Sequence, residues 1–115
     1  KMFFDKNTDI NEKVCPSIIT GWNHTPRSAK NGTVFSEETP AQFAAHAKTV
    51  LENAKGKFVF IKSWNEWAEG NYLEPDLKWG IAYLDELSRL LRGGVHKYSI
   101  ITISFTKKQQ HKVVA

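Results

Sequence analysis

The chain has 115 residues, 41% of them apolar, and a net charge of +4, which allows one modest core, that of one domain at most or a piece of a larger one. Its single cysteine, Cys15, excludes an internal disulfide framework, and no apolar run reaches the roughly 20 residues that a membrane-spanning helix needs. Part of the positive excess sits in Lys107, Lys108 and Lys112 without interleaved aromatic residues, which reads as a solvated tail and argues against a nucleic-acid surface.

Residues 1–13 are polar and irregular after Met2-Phe3-Phe4. Val14 to Trp22 predicts a strand with Pro16 near its start, and Cys15 reads as a small buried strand residue rather than a nucleophile. A loop follows from Asn23 to Glu38. Thr39-Pro40-Ala41-Gln42 opens a helix: Thr39 caps, Pro40 suits the first helical position and Gln42 completes a capping box. Phe43, Ala44, Ala47, Val50, Leu51 and Ala54 recur at helical spacing and form its inward face, with Gly56 as the stop.

Phe58-Val59-Phe60-Ile61 is a continuous apolar run, as parallel strands show when both faces are covered. After the loop 63–76, Trp79 to Arg92 predicts a second helix with Tyr83, Leu84, Leu87, Leu90 and Leu91 inward, ending at Gly93-Gly94. Lys97 to Thr106 has strong β propensity but finds no place in this pattern. Strand, loop, helix, strand, loop, helix is the order of βαβ units, so the expected class is α/β with a parallel sheet and right-handed crossovers.

Both long loops leave the C-terminal ends of predicted strands, where parallel α/β folds carry their sites. The second, Ser63 to Asp76, holds four carboxylates, Glu66, Glu69, Glu74 and Asp76, among three aromatic rings, Trp64, Trp67 and Tyr72. Carboxyl groups move protons at a glycosidic bond, and flat rings stack on the apolar faces of sugars. Glu66 and Glu69, three residues apart, share one side of any turn and can divide the roles of acid and base; the plainer reading is a pair of exposed acids at a helix start. Asn65 meets a sugar hydroxyl, orients Glu66, or in the plainer reading satisfies loop backbone. Asp76 is expected to cap the helix near Trp79, whereas Glu74 is open to either role. In the first loop Trp22, Asn23, His24 and Arg27 offer a platform, an amide, an imidazole and a cation suited to a carboxylate or an anionic sugar. His46, His96 and His111 share no metal-ligand spacing with His24, so neither metal nor cofactor is expected.

Trp22-Asn23-His24-Thr25-Pro26-Arg27, Thr39-Pro40 with Phe43, and above all Trp64-Asn65-Glu66-Trp67-Ala68-Glu69-Gly70 with Tyr72-Leu73-Glu74-Pro75-Asp76, Gly80 and Tyr83-Leu84 resemble the C-terminal part of the WbsX-like glycosyltransferase family. The resemblance covers roughly Val14 to Leu91. That family is similar to the glycoside hydrolase family 99 endo-mannosidases, which implies C-terminal βα units of a (β/α)8 barrel of the TIM type. It implies that Glu66 and Glu69 match two catalytic carboxylates. The first acts as base on the sugar 2-hydroxyl, which attacks its own anomeric carbon, and the second protonates the leaving oxygen. The substrate implied is cell-surface polysaccharide and the compartment favoured is the cytoplasm. Asn23 stands where the resemblance leads one to expect Asp.

Residues 1–94 are thus expected to be the C-terminal portion of such a domain and residues 95–115 an unassigned tail. A whole barrel takes roughly 250 residues, so the expected partners are a carbohydrate and either the rest of the barrel or a second copy. No glycine-rich strand-to-helix loop cradles a phosphate in this sequence, which leans toward hydrolase-like chemistry despite the transferase name. The alternative from another class is a non-catalytic carbohydrate-binding module that stacks sugars on Trp22, Trp64, Trp67 and Tyr72. A nucleic-acid binder driven by the terminal lysines is a third.

Overall fold

The computed structural model describes residues 7, 13–23, 25, 29–31, 39–54, 57–93, 99–102 and 104. In chain order they form β1 (Ser17–Ile19), α1 (Pro40–Ala54), β2 (Phe58–Lys62), β3 (Asn65–Glu66), β4 (Asn71–Tyr72), α2 (Ala82–Gly93) and β5 (Ser99–Thr102), with short 3-10 turns at Ala29–Asn31 and Trp67–Glu69. β1, β2 and β5 make one parallel sheet in that order. β3 and β4 pair antiparallel just beyond β2, Glu66 opposite Asn71 and Asn65 opposite Tyr72.

The first strand is shorter than its sequence suggests. Pro16 has no N–H to contribute, yet its carbonyl accepts the Phe60 N–H at 3.0 Å and its ring is buried. Cys15 precedes the strand and is exposed, which corrects the expectation of a buried cysteine: Pro16, not Cys15, takes the inward position at the strand's entry. Thr20 N–H donates to the Lys62 carbonyl at 3.2 Å, so the Ile19 N–H points away from β2, where His46 Nε2 on α1 accepts it at 3.2 Å. That donor therefore does not face solvent bare.

α1 begins as its sequence dictates. Gln42 N–H donates to Thr39 Oγ1 at 3.2 Å, and Gln42 Oε1 lies 3.4 Å from the same hydroxyl. Phe43, Ala44, Ala47, Val50, Leu51 and Ala54 are all buried; Gly56 lies outside the described residues. α2 starts at Ala82 rather than Trp79, because residues 76–80 close first as a separate turn, with reciprocal backbone bonds between Asp76 and Gly80 at 2.9 and 3.3 Å.

Both helices share one core with the sheet. Ile18 of β1, Val59 and Ile61 of β2, the buried face of α1 and Leu87 of α2 form a single cluster, with Tyr83, Leu84, Leu90, Leu91 and Ile100 packed against it. The Phe43 and Tyr83 rings meet across the helices at 5.2 Å between centroids, tilted by 55°. Successive strand side chains point to opposite faces, and in β2 Val59 and Ile61 are buried while Phe58 is 54% exposed. Ile101, level with Phe60 on β5, is 42% exposed. Among the described residues, helices cover one face and the other is open, so the second cover that the apolar run of β2 calls for is not supplied by these residues. β5 lies within the segment that the sequence left without a place, and it pairs parallel with β2, Val59 level with Ile100 and Ile61 with Thr102. No described helix is long and apolar enough to cross a membrane.

Candidate functional site

β2 delivers the chain to the acid-rich loop through a cis peptide between Lys62 and Ser63, and the loop folds back as the β3–β4 hairpin. Its base is a buried polar pin. Ser63, fully buried, donates its hydroxyl to the Asn71 carbonyl at 2.7 Å and accepts the Glu66 N–H at 3.1 Å. Asn71, also fully buried, donates Nδ2 to the Glu69 carbonyl at 3.3 Å. The Trp64 carbonyl accepts the N–H groups of Leu73 and Glu74 at 2.9 and 3.0 Å, which closes the loop's return. The backbones of both glutamates are thus fixed from inside the protein, a requirement for any pair that must act in a set geometry.

The first loop is tied to the second at one point. Asn23 N–H donates to the Glu69 carbonyl at 2.7 Å, and Gly70, at φ 66°, sits so close that a Cβ there would lie 3.0 Å from the Asn23 nitrogen. Glycine is needed on both counts. Asn23 Oδ1 accepts from the Thr25 N–H at 3.0 Å and the Thr25 hydroxyl at 2.5 Å, an Asx-type turn that holds the amide on its own backbone. His24 and Arg27 lie outside the described residues.

Three of the four carboxylates are held by named donors. Glu69 Oε2 faces Lys62 Nζ at 2.9 Å, and the same ammonium stands 4.5 Å from the Trp22 ring centroid. Glu74 Oε2 accepts the Trp67 indole N–H at 2.7 Å. Asp76 accepts the Tyr72 hydroxyl at 2.9 Å and the Trp79 N–H at 2.5 Å. Burial pushes the Asp76 carboxyl up, but hydrogen bonds from the Trp79 N–H, the Tyr72 hydroxyl and the N–H groups of Lys78 and Gly80 outweigh it and hold the group below its ordinary value. Glu66 differs. It is 4% exposed, and its Oε1 is buried with no hydrogen-bond partner among the described residues. A buried polar oxygen without a partner is costly, and such groups concentrate where a ligand completes the bonding.

The aromatic residues divide by position. Trp67 and Tyr72 stack at 3.8 Å with 13° between their planes. Both rings have their polar edges anchored by carboxylates, and Trp67 stays 42% exposed. With Pro75, Asp76, Leu77 and Lys78 they line an open cleft of about 570 Å³. Trp64 is half-buried against the core, which makes it a structural ring first.

The profile described as "Glycosyltransferase WbsX" matches residues 1–87, three quarters of the chain and the whole of this site. The chain belongs to the WbsX glycosyltransferase family. A protein of Xanthomonas campestris pv. campestris, "Uncharacterized protein WxcX", is 39% identical over 82 residues in each of two strains, B100 and ATCC 33913. The aligned part is 66% of this chain and 12% of those proteins, so the chain spans about an eighth of the length of the curated relatives it matches. No solved structure matches it significantly.

Within this WbsX-family chain, Glu66, Glu69, Asn65, Trp67, Tyr72 and Glu74 come together on the β3–β4 hairpin, and Trp22 and Asn23 join them through Lys62 and the Glu69 carbonyl. The reading of Glu66 and Glu69 as ordinary exposed acids at a helix start is overturned, since both are buried and the turn between them is a single 3-10 turn. Asp76 does receive the Trp79 N–H, but it closes the 76–80 turn and not α2. Sequence reasoning missed Lys62, Ser63 and Asn71. For Lys62 a signal existed: two residues beyond Phe60, it falls on the open sheet face at the strand's C-terminal end. Among the described residues, no group of three His, Cys, Asp or Glu is gathered around a common point as metal ligands.

Proposed function

We propose that this chain supplies part of the active site of a glycan-active enzyme that cleaves or transfers glycosyl units of cell-surface polysaccharide, with Glu66 and Glu69 as its reacting carboxylates. The observation that carries this reading is the buried, unpartnered Oε1 of Glu66 beside a second carboxylate whose backbone is pinned by Asn71. Glu66 accepts the proton of the sugar 2-hydroxyl, which attacks the anomeric carbon, and Glu69 gives its proton to the leaving oxygen. In this reading the sugar is the nucleophile, and the protein's part is to place two carboxyl groups and exclude water.

The architecture supports a barrel origin. β1, β2 and β5 run in chain order without reversal, and both helices pack on one face. A doubly wound sheet reverses its strand order and covers both faces, whereas a (β/α)8 barrel turns its open face inward and gathers its site at the strands' C-terminal ends. Lys62, Glu66 and Glu69 lie at that end of β2. The open Phe58, Phe60 and Ile101 face becomes barrel interior when the rest of the barrel is present, and that domain's last part then runs past residue 94 to include β5.

The test uses the full-length protein that contains this chain and fluorescently labelled oligosaccharides prepared from the producing cell's surface polysaccharide. Release of labelled ends without added nucleotide sugar marks hydrolysis; extension that requires nucleotide sugar marks transfer. Either activity should vanish in Glu66→Gln. Retention of full activity in that variant would overturn the reading. The stacked Trp67–Tyr72 pair favours a second reading, a carbohydrate-binding module, in which Glu66→Gln leaves sugar affinity intact and no turnover is found.

A further inference from the structure

We propose that Lys62 is a positioning residue of this site, one that fixes Glu69 and the Trp22 loop in a single arrangement; the inference rests on the glycan-active reading above. Lys62 ends β2 on the open sheet face, level with Ile19 of β1 in the parallel register. Its ammonium spans two loops that are far apart in sequence, meeting Glu69 Oε2 at 2.9 Å and the Trp22 ring at 4.5 Å from the centroid. The pair is largely shielded, with side-chain exposures of 33% for Lys62 and 11% for Glu69. Its carbonyl is fixed as well, accepting the Thr20 N–H at 3.2 Å and the Thr20 hydroxyl at 3.4 Å.

The consequence is chemical. Without Lys62, Glu69 keeps its backbone pinned by Asn71 and Asn23, but its Oε2 loses the ammonium that it meets at 2.9 Å. A lysine that ends a parallel strand stands on a rigid element, whereas Glu69 and Trp22 stand on loops, so the strand's order passes to both through one ammonium. When a proton held on Glu69 Oε1 passes to the leaving oxygen, the 2-oxygen, its own proton taken by Glu66, bonds to the anomeric carbon, the glycosidic carbon–oxygen bond breaks, the leaving oxygen departs as a hydroxyl, and Glu69 becomes a carboxylate. Lys62 Nζ already faces the oxygen on which the negative charge then rests, a charge-assisted contact that is stronger than a neutral one.

The experiment measures kcat and KM of the full-length protein on the same labelled oligosaccharides for Lys62→Met, Lys62→Arg, Glu69→Gln and the Lys62→Met/Glu69→Gln pair. A positioning role predicts a fall in kcat of about 100-fold for Lys62→Met with KM changed little, the size expected when a reacting group is displaced by about an ångström. Lys62→Arg, which keeps the charge, recovers most of the rate. In the Glu69→Gln background Lys62→Met adds no further loss, because its effect passes through Glu69. A Lys62→Met kcat within about twofold of wild type, or a full additional loss in the Glu69→Gln background, would overturn the proposal. Should Lys62→Met fail to fold, Lys62→Gln and Glu69→Gln decide it through the component of the emission that Trp22→Phe removes, since the chain has four tryptophans: loss or displacement of the ammonium from the ring shifts that component in both, and an unchanged component counts against the cluster. Glu66→Gln separates the two failures, since an active Glu66→Gln protein sinks the glycan-active reading whatever Lys62 does.

Discussion

The backbone N–H of Asn23 donates to the carbonyl of Glu69 at 2.7 Å, so the loop after the first strand hangs on the acid-rich loop by a bond that, among substitutions at Asn23, only proline removes outright. Its weak point is Gly70. Alanine at that position must hold φ 66° and bring its Cβ to 3.0 Å from the Asn23 nitrogen and 3.1 Å from the Asn23 Cβ. The left-handed conformation alone costs about 1 kcal/mol, and relief of the contact requires the two loops to part. Gly70→Ala should lower unfolding free energy by about 2 kcal/mol in denaturant titration and shift Trp22 emission toward that of solvated indole. An unchanged transition and spectrum would show that the loops are not joined in this way.

Glu66 offers a test in which activity and stability move in opposite directions. Its buried Oε1 has no donor among the described residues, so the folded state bears the desolvation of that oxygen without return, a cost of about 1–3 kcal/mol. Glu66→Gln keeps the shape and removes the charge. It should raise the thermal midpoint by a few degrees, since about 1 kcal/mol moves Tm by roughly 2–4 °C in a domain of barrel size, while abolishing turnover. A fall in both would mean that Glu66 has a partner that the neutral amide cannot replace.

Asp76 predicts an acid-sensitive turn. Hydrogen bonds hold its carboxyl below the ordinary value of 3.8 in the folded protein. A group with a lowered folded value contributes stability that is fully present above the unfolded value and lost as pH falls through the folded one. The window therefore lies below pH 3.8, and neutral pH is insensitive. Trp79 and Tyr72 fluorescence followed from pH 6 to pH 2 should show the 76–80 turn loosening at the acid end, and Asp76→Asn should lose that dependence. A titration of equal shape in the variant would assign the change to another carboxylate.

Local chemistry carried the sequence reading where neighbours in the chain decide the structure. Thr39, Pro40 and Gln42 marked the start of α1, and all six of its inward residues are buried, because cap and periodicity act within a few turns. β5 shows the opposite case. Ser99 to Thr102 has the propensity for a strand, but its partner β2 lies about forty residues earlier, and nothing local names that partner or its register. Phe58 misled for the same reason: a run of apolar residues tells how much a strand wants cover, and not whether these residues supply it on both faces. In the site, Glu66 and Glu69 were legible as a pair because acids among aromatic residues are rare. Ser63 and Asn71 were not, since a serine and an asparagine near a strand's end have many ordinary uses, and their roles emerge only from which atoms they reach; for Lys62 the spacing from Phe60 signals the face but not the contact with Glu69.

The Trp67–Tyr72 stack separates binding from chemistry. Each ring has its polar edge committed, Trp67 Nε1 to Glu74 and the Tyr72 hydroxyl to Asp76, which leaves ring faces and not hydrogen-bonding edges for a ligand. Sugars present apolar C–H faces that suit such a surface, and about 50 Å² of apolar contact at about 25 cal/mol per Å² contributes about 1.3 kcal/mol, close to tenfold in affinity. Trp67→Ala should therefore weaken oligosaccharide binding by about tenfold in calorimetry while Glu66 and Glu69 keep their arrangement, so that saturating substrate restores kcat. Tyr72→Phe keeps the stack and frees Asp76 Oδ2, and should leave affinity within about twofold while weakening the turn. If Trp67→Ala instead lowers kcat at saturation and spares affinity, the stack supports the hairpin that carries the glutamates and is not a sugar platform.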